Sequence, residues 1–427
     1  ADATLTIEPG VTVKCSGYSG LVVNGTLVAA GTAAAPITFT KDAPESDPWD
    51  GIGIEGTEQA PISGSVLDHV IVEGGGKLGA GVLIHHASVT FTNSTIRDSA
   101  PATSDGIRAG YGARLTLASV TLTGNGMYPL NLEYGGVEHS LSGITSSGNG
   151  IEAIRVGGGN MDGNRHWTDL GLPYHVTSDV FVLTGATFRI DPGVTLQFAG
   201  YTGLVVNGTL LAVGTAAAPI TLTRDNPLSD PWDGISIEGA EQAPNQGSVL
   251  RHVIIEGGGK IGANLMLTNA TASVSHSIIR QSMMDLVRAY GPPGTVIESS
   301  QLVEVEDGWY AVRNKGTALI LAPHVWWGHP AGPTTDDTCN PDGSGTPIFG
   351  PVAWKPALES ADGQAGPAAP LPVTSVEVRP DRWFAPADST TRVWVKVTAR
   401  DGNGEPLAGR VVHLTTTLGT AVDGAVT

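Results

Sequence analysis

Only two cysteines occur among 427 residues, Cys15 and Cys339. Two thiols cannot provide the disulfide framework that staples small secreted folds, so stability has to come from burial. Cationic residues are also scarce, Lys+Arg 23 against Asp+Glu 41, for a net charge of -18. Nucleic-acid binding needs a positive surface that displaces counterions, so that class of partner is excluded on charge. No apolar run approaches the roughly eighteen residues that span a bilayer, and membrane insertion is not expected. Aromatic residues are 6% of the chain. No segment combines 3.6-residue apolar spacing with a glycine-free interior, which argues against long helices.

What the chain has instead is Gly 58, Pro 28 and a hydrophobic fraction of 41%. That balance suits many short strands joined by tight turns. The chain also repeats itself. Residues 3–99 align without a gap on residues 186–282, with 62 identities in 97 pairs. SGLVVNGTLVAAGTAAAPITFT (19–40) returns as TGLVVNGTLLAVGTAAAPITLT (202–223), and SDPWDGIGIEG (46–56) as SDPWDGISIEG (229–239). Inside each copy runs a shorter period. Val72, Ile96, Leu122 and Ser146 occupy like positions at steps of 24, 26 and 24 residues. Along single strands Val11, Val13 and Cys15 share one parity, as do Val194, Leu196 and Phe198. A turn of about 25 residues with three short strands, one parity inward, fits a solenoid whose turns each cover their neighbour's apolar face.

This pattern, over residues 3–357, resembles the right-handed parallel β-helix of pectate lyases, polygalacturonases and tailspikes, and the β-helix repeats of large bacterial surface and secreted proteins. The fold expected is an all-β, right-handed parallel β-helix with a C-terminal Ig-like β-sandwich segment. The first module is placed at 1–165 and the second, with its C-terminal cap, at 166–358. A linker rich in Ala, Gly and Pro follows at 359–372. Residues 373–427 resemble a partial invasin-type bacterial Ig-like domain, through VTSVEVRP (373–380), VWVKVTARDGNGEP (393–406) and VVHLTTTLG (411–419).

The chemistry-bearing residues form no compact motif. A lyase of this fold would need an acidic cation cluster and a basic residue, for which Asp98, Asp105 and Arg108, then Asp285 and Arg288, are the nearest groupings. A glycosidase would need two facing carboxyls; Glu304 and Glu306 share a strand parity beside Trp309. Asp336, Asp337, Asn340 and Asp342 offer oxygens that suit Ca2+, without the spacing that ends in a bidentate Glu. Rung-turn polar residues are the competing account of all these positions. His85, His86, His166, His324 and His329 match no zinc spacing and read as surface or packing residues. Trp49 and Trp232 are expected to pin the SDPWDG loops against the rod, a sugar platform being the alternative.

About fourteen rungs at about 4.8 Å place Cys15 and Cys339 roughly 65 Å apart, too far for one bridge. Free thiols and head-to-tail bridges between subunits both remain open. Secretion is expected mainly from the architecture, and Ala1-Asp2-Ala3 is compatible with the start of a mature chain after signal removal. The functional expectation is an extracellular structural or adhesive rod, self-associating or meeting neighbouring surface proteins. A polysaccharide lyase or glycoside hydrolase acting on an extracellular glycan is the alternative.

Overall fold

The computed structural model describes residues 3–100, 102–292, 294–335 and 340–361, together with the strand backbones Ser375–Pro380 and Val395–Arg400. The chain coils as a right-handed parallel β-solenoid of about 13 turns, with no helix among the described residues. Each turn contributes one strand to each of three faces. The third face is a single twelve-stranded sheet from Gly20–Val23 to Gln301–Val305, running through both copies. The other two faces each change sheet once, between Glu138–Ser142 and Gly159–Met161 and between Thr145–Ser147 and Arg165–Trp167.

The register follows the period in the sequence. Val72 pairs with Ile96, Ile96 with Leu122, and Leu122 with Ser146. Corners between the first and second faces need only one residue in the left-handed region: His69, Asn93, Ser119 and Gly143, with φ of 48°, 50°, 57° and 59°. Such a corner reverses the inward parity across one position, so both flanking strands point branched side chains into the core. Val70, Phe91, Leu117 and Leu122 are all buried there. Where this leaves an inner amide unpaired, a buried serine serves it. Ser94 Oγ accepts from the Val70 amide (3.0 Å) and Ser277 Oγ from the Val253 amide (3.1 Å).

The duplicated copies do not repeat the same faces. Strand Thr12–Cys15 lies in the second face, but its counterpart Thr195–Phe198 lies in the third-face sheet, alongside Gly20–Val23. Counterparts are 22 strands apart, seven turns of three plus one. The second copy is therefore turned by one face about the rod axis. Its opening turn is covered by Trp167 and Tyr174, stacked 4.6 Å apart. Val194 is accordingly 1% exposed, against 38% for its counterpart Val11.

Trp49 and Trp232 are fully buried, and each indole N–H donates to the carbonyl of the next turn: Glu73 at 2.9 Å and Glu256 at 2.8 Å. The EGGGK runs explain themselves here. A side chain at Gly75 would meet the Trp49 ring at 2.8 Å, and one at Gly258 would meet Trp232 Nε1 at 2.7 Å. The tryptophan and the glycine that admits it recur together. Trp232 also stacks on Phe198 at 4.4 Å, where the first copy has Cys15. Cys15 is a half-buried free thiol, pushed up by burial and by the Asp42 carboxylate.

The last turns end on buried Trp327 and the pairing of Ile320–Leu321 with Val352–Ala353. Strands Ser375–Pro380 and Val395–Arg400 pair antiparallel; the expected linker from 362 and the expected strand at 411–419 lie outside the described residues.

Removing a buried indole leaves a cavity and an orphaned carbonyl. Trp232→Ala should destabilise the chain by about 3–5 kcal/mol. Trp49→Ala should cost less, because Trp49 lacks the stacked phenylalanine; paired urea titrations followed by tryptophan-independent circular dichroism check the order.

Candidate functional site

The outer surface of the third face, in the first copy, holds a cluster of ionisable and aromatic side chains. The register sets Glu55 beside His85, and His85 beside Gly110. Glu133 comes next in this column, since the preceding Leu132 pairs with Ala109. Gly110 is what joins the ends. A methyl group there would stand 2.1 Å from a Glu133 carboxylate oxygen. With none, Glu133 fills the gap and its Oε2 lies 3.3 Å from His85 Nε2, across two turns. Arg108 Nε stands 4.0 Å from the other oxygen.

A ring cluster borders this pair. Tyr111 meets His85 edge-on at 5.2 Å, Tyr134 edge-on at 5.0 Å, and His86 nearly parallel at 6.4 Å. Tyr111 is 53% exposed. Its hydrogen bond to Tyr134, then burial, pushes the Tyr134 phenol up to about 12. One strand further along, Arg155 donates to Asn131 Oδ1 (3.3 Å), and Tyr128 and His175 share a 2.8 Å hydrogen bond. Burial pushes the His175 imidazole down, although Asp225 lies 3.3 Å away.

The acids and bases singled out from sequence are placed differently. Asp105 is 2% exposed and both its oxygens are taken: Oδ2 by Arg108 (2.9 and 2.8 Å) and Asn131 (2.7 Å), Oδ1 by the Tyr128 amide (3.2 Å). Asp285 is fully buried in the same arrangement. Its Oδ2 takes Arg288 at 2.6 Å and lies 2.9 Å from Arg313, and its Oδ1 takes the Tyr310 amide at 3.0 Å. After a three-residue gap these are counterparts, because Asp105 pairs with Ala80 and Asp285 with the duplicate Ala263. The Asp-x-x-Arg unit is thus a clasp tying one turn to the next, built twice. A buried carboxylate paired this fully leaves an uncompensated charge behind when one partner is removed.

Asp98 does not join it; its side chain is 67% exposed and its φ is 52°. Glu304 and Glu306 are both exposed on the last turns of the third face, with Glu304 at φ 59°, and the structure brings neither to Asp285. Asp336, Asp337 and Cys339 lie outside the described residues. Asn340 is spent on the cap, its amide donating to the Ala331 (2.9 Å) and Pro333 (2.7 Å) carbonyls, while Asp342 is exposed. Among the described residues no three His, Cys, Asp or Glu side chains converge in metal-binding geometry.

The His85–Glu133 pair belongs to the first copy alone. In the second copy Thr268, Tyr290 and Lys315 take the places of His85, Gly110 and Glu133. Sequence reasoning missed the pair because its members are 48 residues apart. The signal was available in the rung period, which carries 85 to 110 and on to 133.

A parallel β-solenoid carrying an exposed ring-and-acid cluster on its third face is the class that fold and site define. Sixty-eight residues, 15% of the chain, are 40% identical to a stretch of protein bark beetle of Drosophila melanogaster, and cover 2% of that protein's length. No family model matches the chain. No solved structure matches it either.

Neutralising the clasp should expose its structural character. Asp285→Asn strands Arg288 and Arg313 and should destabilise by about 3–5 kcal/mol, whereas Asp98→Asn should stay within about 0.5 kcal/mol; chemical denaturation of the two variants side by side decides it.

Proposed function

We propose that this chain is an extracellular rod with a structural or adhesive role, built on a pectin-lyase-like right-handed β-helix and continued by an Ig-like domain. The observation that carries the reading is the twelve-stranded third-face sheet, which crosses from one copy to the other without a break. Duplication has lengthened a single stiff body. A protein under selection for a catalytic groove has no need of such a second copy, whereas a spacer gains reach with every turn. Acidity supports a solvent-exposed life outside the cell and keeps rods apart until specific contacts form. The antiparallel pairing of Ser375–Pro380 with Val395–Arg400 is what an Ig-like sandwich would show at that point. Self-association or contact with neighbouring surface proteins follows from this role.

A second reading rests on the first-copy cluster. Glu133, His85 and the exposed Tyr111 ring combine an acid, a base and a stacking surface, the ingredients of a glycan contact. Hydrolysis of a glycoside by two carboxyls would need a second acid. The neighbouring Asp105 has no free oxygen to lend, so adhesion to a glycan fits this cluster better than cleavage.

Two measurements separate the readings. Small-angle scattering of the dilute chain should give a rod cross-section that stays constant along its length. A panel of neutral and acidic polysaccharides should show no release of reducing or unsaturated ends above the Glu133→Gln variant. Turnover that vanishes in Glu133→Gln would overturn the structural role in favour of an enzyme.

A further inference from the structure

The two copies differ at one corner in a way that changes its charge. In the first copy the corner residues His69 and Asn93 flank Asp68. Asn93 Nδ2 and Thr92 Oγ1 donate to Asp68 at 2.9 and 2.6 Å, and His69 Nδ1 lies 3.1 Å from the same carboxylate. The Thr92 hydrogen bond, with help from Asn93 and His69, holds the Asp68 carboxyl below its usual range, so it remains an anion in mild acid. In the second copy the same four positions are Arg251, His252, Ser275 and His276. The carboxylate has become a guanidinium and the asparagine an imidazole.

His276 is 3% exposed, and neither ring nitrogen has a hydrogen-bond partner. Its ring centre is 5.0 Å from that of His252. Arg251 lies in the outward column that runs from Val213 through Ser275 to Glu298, so the charged neighbours of the corner are Arg251 and His252 below and Glu298 above. Glu298 meets His276 through its backbone carbonyl, which accepts the His276 amide at 3.2 Å. A proton added to His276 therefore enters a buried corner against the two basic groups of the turn below, while a proton added to His69 finds the Asp68 carboxylate 3.1 Å away.

We infer that the Arg251–His252–His276 corner is an acid-sensitive joint in the second copy, and that the Asp68–His69–Asn93 corner of the first copy is held closed over the same pH range. The direction follows from linkage. Burial, then His252 and Arg251, lowers the His276 imidazole from its ordinary 6.5. In the window between that lowered value and 6.5 the opened corner binds more protons than the closed one. Closure is complete above about pH 6.5 and weakens as pH falls below it. Opening breaks the pairing of Ile254 with Ile278 and Ile255 with Ile279, leaving the rod softened at one level. Half-buried His139, also pushed down by desolvation, lies on a first-copy strand away from both corners.

The test is amide hydrogen exchange of the full chain, corrected for intrinsic rates, at about pH 7.5 and about pH 5. Amides of Val253–Glu256 and Ile278–Ser282 should lose protection by about tenfold in acid, while those of Val70–Glu73 and Thr95–Arg97 keep theirs. His276→Asn, which installs the first copy's residue, should abolish the loss. Arg251→Asp should reduce it independently, covering the case in which the first variant fails to fold. Equal loss at both corners, or an undiminished loss in whichever variants fold, would overturn the inference.

Discussion

Every feature of this molecule depends on one constraint: a turn of the solenoid has no stable existence except against the next. Parallel strands about 4.8 Å apart must satisfy each other's amides and carbonyls, and each inner layer is too thin to exclude water alone. Columns of like residues are the consequence. Val72 stacks on Ile96 and Ile96 on Leu122, because a branched side chain is best covered by another at the same offset. The devices that look most like chemistry also serve this stacking. Trp49 and Trp232 reach the carbonyl of the following turn, and Asp105 and Asp285 receive an amide from theirs.

The internal duplication separates scaffold from surface. What recurs in both copies is the tryptophan with its admitting glycine, the buried corner serine and the Asp-x-x-Arg clasp. What diverges sits on the outside or at a corner: His85 and Glu133 have no counterpart pair, and Asp68 has become Arg251. A one-face turn between the copies means that even retained outer residues point in different directions. The rod therefore does not present one surface twice in line. It presents related surfaces around its circumference, which suits a spacer or an assembling element more than a processive groove.

The fold was legible in the sequence because the period is written in inward residues, which stacking does not allow to drift. The column Val72, Ile96, Leu122, Ser146 needed only the steps between similar turns. The roughly fourteen rungs expected become about 13 turns, since corners and loops take unequal shares of the chain. The site was far less legible. Asp105 and Arg108 sit three residues apart and attract notice as chemistry, yet burial and four donors make them a fastening. His85 and Glu133 are invisible to local reading, and meet only because Gly110 leaves a gap between two turns. The one-face turn was hidden for a similar reason. It arises in residues 100–185, where turns are shorter and the ungapped alignment of the two copies has already ended.

Cysteine pairing on neighbouring turns tests the central claim of one continuous, turned solenoid most directly. With Cys15 and Cys339 replaced by serine, His175→Cys with Gln197→Cys places two outward positions in register on the third face. Lys14→Cys with Thr40→Cys does so on the second face as a control. Both pairs should bridge under mild oxidation, since adjacent parallel strands hold them about 5 Å apart. A control that bridges while the 175–197 pair stays reduced would contradict the continuous third face.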